Sequence, residues 1–314
     1  MSQTVSAPAK IILLGEHAVV YGQPSLAVPL SALRAYAEIV HLPQNSGLRI
    51  TAIDLDNQEF TVNSHSTESD QPLVSAALLL LNDLGCTTLP DANIILRSDI
   101  PIASGMGSGA AITTALFRAL ILLLGKEVSD SHLNDLVYEV EKMHHGTPSG
   151  VDNTVIVFEK PIYFMRGKPI ERIKIDKPFT LLVADTGIGA STKIAVADVR
   201  TLYNSNMIFI TRILDSIGEL VVVGQQAIEN GDYVNLGHTM NENHNLLQKL
   251  TVSSPLLDKL VDIARGSGAL GAKLSGGGRG GNMIALVSEE SAPYIKEQLL
   301  DAGAIQVYQT VVKE

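Results

Sequence analysis

Residues 101–111 read Pro101-Ile102-Ala103-Ser104-Gly105-Met106-Gly107-Ser108-Gly109-Ala110-Ala111, with three glycines and two serines directly before a strongly apolar run. Glycine lets a backbone turn sharply and approach a ligand closely. The start of a helix offers unpaired N–H groups and the positive end of a dipole to an anion. Phosphate is the natural ligand of such a loop, and a serine-capped strand-to-helix turn is the alternative. No Lys follows the last glycine, so the pattern is not a P-loop.

Three further segments carry reactive residue types. Pro8-Ala9-Lys10 and Gly15-Glu16-His17-Ala18-Val19-Val20-Tyr21-Gly22 place a Lys, a Glu and a His around the apolar run 11–14. They form either a substrate end or a surface strand with charged ends. In His145-Gly146-Thr147-Pro148-Ser149-Gly150-Val151-Asp152-Asn153, turn chemistry holds Asp152 just ahead of a strand-like run, 154–158, either as a simple turn carboxylate or as a reactive one. The third, Lys273-Leu274-Ser275-Gly276-Gly277-Gly278-Arg279-Gly280-Gly281-Asn282, is a second glycine-rich loop; its Arg279 is open to a phosphate or to solvent. Glu141 lies at the edge of an apolar helix face, where a carboxylate needs a partner; an internal cation or a magnesium ion would serve. His144 reads as core and His145 as scaffold, because adjacent helical residues diverge and make a poor zinc pair. The segment 185–193 follows an apolar run and leaves Thr192 as a ligand contact or a helix cap.

The elements that must position these groups follow from periodicity. Strands are expected at 11–14, 35–41, 93–98, 181–184, 283–287 and 306–312, with a turn at 22–27 and hairpins at 42–71 and 161–177. Helices are expected at 72–84, 110–124, 133–145, 255–265 and 290–302, with two more within 196–228. This mixture is α+β, and 314 residues suggest two domains, 1–178 and 179–314.

Composition narrows the function. Apolar residues make up 46% and charged residues 18%, which is enough to build a sizeable core. A net charge of −10 and the absence of Trp argue against nucleic-acid and anionic membrane partners. The run 110–124 is too short for a bilayer and contains Arg118. No secretory leader is expected from the small, polar first ten residues. A single cysteine, Cys86, excludes an intrachain disulfide and fits a reducing, cytoplasmic setting.

Together the segments resemble the GHMP kinases, whose signatures run P-x-K-x-x-L-x-G-E-H-x-V-x-x-G, P-x-x-x-G-L-G-S-S-A-A and K-[LM]-[ST]-G-x-G-x-G-G. All three occur here in order over nearly the whole chain, and H-G-x-P-S-G-x-D at 145–152 is the form found in mevalonate kinases. This chain departs from the second signature at Met106 and at Gly109, where relatives carry Leu and a second Ser. The resemblance implies a ribosomal-S5-like N-terminal domain and a ferredoxin-like C-terminal domain. It makes Asp152 the general base and Lys10 the cation that keeps it ionised. It gives ATP to residues 101–110 and mevalonate to Lys10, Glu16, His17, Val19, Ser149, Asp152, Thr192 and Gly277. Mg²⁺ goes to Glu141, with Ser108 the only loop hydroxyl left to join it. A homodimer remains open, as do two alternatives: a GHMP kinase for phosphomevalonate or a sugar, and a non-catalytic sensor.

Overall fold

The computed structural model describes residues 3–63, 71–101, 104–145, 148–189 and 191–313. Ile102, Ala103, Gly146, Thr147 and the side chains of His144 and His145 lie outside the described residues.

The elements follow in chain order. β1 (Gln3–Leu14) leads through a 3₁₀ turn (Ala18–Tyr21) to β2 (Ser25–His41), β3 (Leu48–Ala52), β4 (Gln58–Val62), α1 (Pro72–Asp83) and β5 (Ala92–Ser98). Then come α2 (Ser108–Leu123), α3 (Asp130–His145), α4 (Val151–Phe158), β6 (Ile162–Phe164), β7 (Glu171–Arg172) and β8 (Phe179–Asp185). The chain closes with α5 (Thr192–Ser205), α6 (Met207–Glu229), α7 (Tyr233–Lys249), α8 (Pro255–Gly266), β9 (Gly271–Ser275), β10 (Asn282–Val287), α9 (Ala292–Asp301) and β11 (Gln306–Val312). By its internal contacts the chain divides into two units that alternate along the sequence.

Unit 1 comprises Met1–Ala9, Leu33–Pro101 and Gly107–Glu159. Its strands run in the order β4-β3-β5-β2; β3 and β5 are parallel and the other pairs antiparallel. Alternate residues of β2 (Ala35, Ala37, Ile39) turn inward, as period-2 patterning requires. Against the strands lie α1 and α2, and α2 also contacts α3 and α4. In α3, Leu133, Leu136, Val137 and Val140 are buried on one face, as the helical period predicts.

The run 154–158, expected as a strand, is helix α4. Its Val, Thr and Ile favour strands only where packing agrees. Here Gly150 caps the helix start with φ 94°, and Thr154 Oγ1 bonds back to Gly150 O at 2.6 Å. At the other end Glu159 receives Arg34 (2.9 Å) and Arg118 (2.5 Å), while Arg118 also donates to Val157 O (2.9 Å). A second correction concerns 133–145 and 110–124, whose helices begin earlier, at Asp130 and Ser108.

Unit 2 comprises Lys10–Ala32, Ile102–Met106 and Lys160–Glu314. Its sheet is antiparallel throughout, in the order β11-β8-β10-β9, and every residue of β8 is buried. α7 and α8 pack on β9, and α9 packs on β8 and β11, around a core that includes Leu182, Leu214, Ile217, Leu247, Leu257 and Ile295. The expected turn at 22–27 ends sooner: Ser25–Ala27 already belong to β2 and pair with Phe164–Ile162 of β6. That pairing comes from a segment far along the chain, so no local pattern reveals it. Two elements were not anticipated, the helix α7 and the strand β9.

Candidate active site

In unit 2, β1 carries Lys10, which is buried; its amide donates to Met106 O at 3.0 Å. The strand ends at Leu14, and Gly15 after it must be glycine. Its φ is 97°, and a Cβ there would lie 2.5 Å from Pro24 O. The Gly15 amide donates to Asn243 Oδ1 of α7 at 3.4 Å. Glu16 follows, 1% exposed, its Oε1 paired with Lys273 Nζ of β9. Burial raises the Glu16 carboxyl above its usual range and lowers the Lys273 ammonium, and the attraction between the two opposes both shifts.

His17 has φ 60°, and its Nε2 lies 3.0 Å from Gly277 O. A carbonyl can only accept, so Nε2 carries the proton and Nδ1 is an acceptor. Burial lowers the imidazole to about 4, so it is neutral at pH 7. Val19 sits in the 3₁₀ turn and is buried.

The loop after β9 is held from several sides. Asn282 Nδ2 donates to Ser104 O at 2.5 Å, Gly281 N donates to Ile188 O at 2.8 Å, and Ser275 Oγ donates to Ile12 O at 2.8 Å. Thr192 opens α5, where Ser191 is the cap, and its Oγ1 stands 2.9 Å from the point where a Gly277 Cβ would be. Arg279 pairs with Asp198 and donates to Thr251 O at 3.3 Å. Ser104, Gly105, Thr192, Ser275 and Gly277 line a recess of about 10 Å³, room for roughly one water. A larger cavity, about 290 Å³, is lined by Lys160, Arg172 and Lys174 and by none of the residues singled out from the sequence.

In unit 1, Pro101 is half-buried, and Gly107, with φ 76°, stands at the cap of α2. The helix starts with Ser108, Gly109 and Ala110, so their amides have no intrahelical partner and face an incoming anion with the dipole's positive end. Glu141 is 6% exposed, more deeply set than the face edge expected, and its Oε1 lies 3.5 Å from the position a Gly109 Cβ would take. Glu139 and Lys142 are exposed and pair with each other at 2.6 Å.

Asp152 occupies the first turn of α4, half-buried, where a carboxylate suits the dipole. Ser149 Oγ accepts from Val151 N at 3.3 Å. Asn153, beside Asp152, donates to Asn134 Oδ1 of α3 at 2.7 Å and ties the two helices together.

Among the described residues no cluster of three His, Cys, Asp or Glu could hold a metal by itself. Mg²⁺ does not require one, since it is commonly held by one or two carboxylates, phosphate oxygens and water. A buried carboxylate reaching the first turn of a helix that starts with Ser108 fits such an ion. Lys273, Asn243, Asn134 and Asn153 received no role from sequence. Only Lys273 had a signal: a charged residue between apolar neighbours in a glycine-loop signature.

Residues 72–160 match the family "GHMP kinases N terminal domain", and residues 225–305 match "GHMP kinases C terminal". The chain is 33% identical to a mevalonate kinase of Thermococcus sibiricus, over 100% of this chain and 97% of that one. A crystal structure of "L. major mevalonate kinase in complex with R-mevalonate" superposes with a TM-score of 0.85 at 28% identity, covering 99% of this chain and 96% of its own. Methanococcus jannaschii mevalonate kinase gives 0.87 at 27% identity, covering 100% and 99%. No helix among the described residues is long and apolar enough to cross a membrane. The chain belongs to the GHMP kinases and, within them, to the mevalonate kinases.

Proposed function

We propose that this chain transfers the γ-phosphoryl group of ATP to the 5-hydroxyl of (R)-mevalonate, giving 5-phosphomevalonate and ADP. The observation that carries the reading is the end-to-end match to mevalonate kinases, with Asp152 kept in H-G-x-P-S-G-x-D.

In this reading Asp152 accepts the proton of the 5-hydroxyl as its oxygen attacks the γ-phosphorus, and ADP leaves with the former bridging oxygen. Lys10 offsets the negative charge on the transferring group. The segment 101–110 cradles the triphosphate with backbone amides at the start of α2. Glu141 and Ser108 would hold Mg²⁺, which when bound spreads the charge of the phosphate oxygens. Glu16, His17, Val19, Ser149, Thr192 and Gly277 bind the acceptor. Phosphoryl transfer is mostly positioning and electrostatics, so this small set suffices.

The test is product identification by phosphorus NMR after incubation with Mg²⁺-ATP and (R)-mevalonate. A phosphomonoester on the primary hydroxyl, formed with equimolar ADP, is expected. ADP formed without that ester would overturn the reading.

A further inference from the structure

Lys273 lies in β9, fully buried, opposite Ile284 of β10. Its neighbours Ala272 and Leu274 are apolar and fully buried, so an aliphatic side chain would fill this place without the cost of desolvating a charge. Two of its protons go to Glu16 Oε1 and to Leu274 O, the latter at 2.6 Å. Glu16 is 257 residues away in sequence, so the pair joins the first glycine signature to the third.

The pair leaves something open. Glu16 Oε2 and His17 Nδ1 are both buried with no hydrogen-bond partner, whereas such atoms are normally satisfied. Both are acceptors, since Glu16 is paired as a carboxylate and His17 gives its proton to Gly277 O. Two open acceptors on consecutive residues call for a ligand that brings donors, and they disfavour a ligand's carboxylate.

We propose that Lys273 is a positioning residue for the acceptor substrate, holding Glu16 ionised and turned so that Oε1 is used inside the protein and Oε2 stays open to a substrate hydroxyl. The proposal rests on reading the Glu16–His17 segment as the acceptor site.

The charged groups acting on Glu16 are Lys273 of β9 and Lys10 of β1. His17, beside it in the chain, also feels Arg279, and His244 of α7 faces Lys273. Without Lys273 only a backbone hydrogen bond and Lys10 oppose burial, so Glu16 keeps its proton to higher pH than in wild type. Acceptor affinity, read as KM and as calorimetric Kd, is therefore compared across pH 6–9 for wild type, K273M, K273R, E16Q and K273M/E16Q.

K273M should weaken acceptor affinity at least about tenfold at pH 7, the scale of a lost charge-assisted hydrogen bond. The loss should shrink as pH rises and Glu16 ionises, with kcat changed less. K273R should show no new pH dependence, and E16Q should be weak at every pH. A K273M affinity within about twofold of wild type and flat with pH, even with a lowered Tm, would show a structural lysine only and overturn the proposal. If K273M does not fold, the double variant decides. An affinity equal to that of E16Q supports action through Glu16, and a further tenfold loss refutes it. Wild type is assayed first on (R)-mevalonate. Turnover only on a different acceptor would sink the mevalonate reading, and the Lys273 comparison would then be run on that acceptor.

Discussion

In unit 2 the candidate residues are strapped to one another across long stretches of chain: Glu16 to Lys273, His17 to Gly277, Gly15 to Asn243. In unit 1 they stand on helix ends and faces. Ser108 opens α2, Asp152 lies in the first turn of α4, and Glu141 projects from α3. The first arrangement binds function to fold, because a change in one partner strands another polar group in the interior. The second separates them, because a side chain in the first turn of a helix can change without emptying the core. Substitutions in unit 1 should therefore alter chemistry more than stability, and in unit 2 the two should move together.

Asp152→Asn sharpens that contrast most. It should lower kcat by about 10²–10⁴, the range for a lost general base, while ATP affinity and Tm stay near wild type. Steady-state kinetics with a thermal melt checks both, and a kcat within about threefold of wild type would remove Asp152 from the mechanism.

Acid should act on unit 2. His17 and His244 are each lowered to about 4 from 6.5 by burial. The unfolded chain therefore binds their protons first as pH falls through that window, and stability is lost from about pH 6.5 down to about 4. Each histidine contributes up to about 3 kcal/mol at 1.36 kcal/mol per unit. His244 accepts from Leu274 N (3.3 Å) and pairs with Asp258 (3.1 Å). His244→Gln should thus lessen the slope of stability against pH by about one proton between pH 6 and 4.5, in denaturant titrations. An unchanged slope would mean that His244 does not titrate with unfolding.

Glu141→Gln should raise the Mg²⁺ concentration needed for half-maximal rate by roughly tenfold, with little loss of Tm. A Mg²⁺ dependence identical to wild type would leave Glu141 as a structural carboxylate. The smallest effect is expected at Gly109. It is outside the left-handed region, and a Cβ there meets only Glu141 Oε1, at 3.5 Å. Gly109→Ser should fold, keep kcat within about threefold, and tighten apparent Mg²⁺ affinity slightly by adding a hydroxyl ligand. A weaker Mg²⁺ response in that variant would place the ion away from the start of α2.

The same contrast explains what could be read in advance. Helix α3 and strand β11 followed from periodicity because each has one buried face and one exposed. The glycine loop is visible as local spacing, whereas Asp152 stands out only through the resemblance carried by H-G-x-P-S-G-x-D. Helix α4 reads as a strand because Val, Thr and Ile dominate it, and the cap at Gly150 and the grip of Arg34 and Arg118 on Glu159 are tertiary. Helix α7 escaped because Asn, Gly, His and Thr are weak helix formers; it is sustained by the Asp232 cap, which accepts from Asn235 N at 3.1 Å, and by burial of Leu236, Met240 and Leu247. The Glu16–Lys273 pair joins two recognisable motifs, yet no spacing rule connects residues so far apart.

The identity of the phosphorylated acceptor is the most direct test of this chemistry. ADP release should be measured with saturating Mg²⁺-ATP against (R)-mevalonate, 5-phosphomevalonate and galactose. A kcat/KM for (R)-mevalonate at least about 10³-fold above the others is expected, because a buried site built to pair with a substrate's polar groups rejects analogues that leave them unpaired. Comparable or higher kcat/KM for phosphomevalonate or the sugar, or ATP binding without turnover on any of the three, would contradict it.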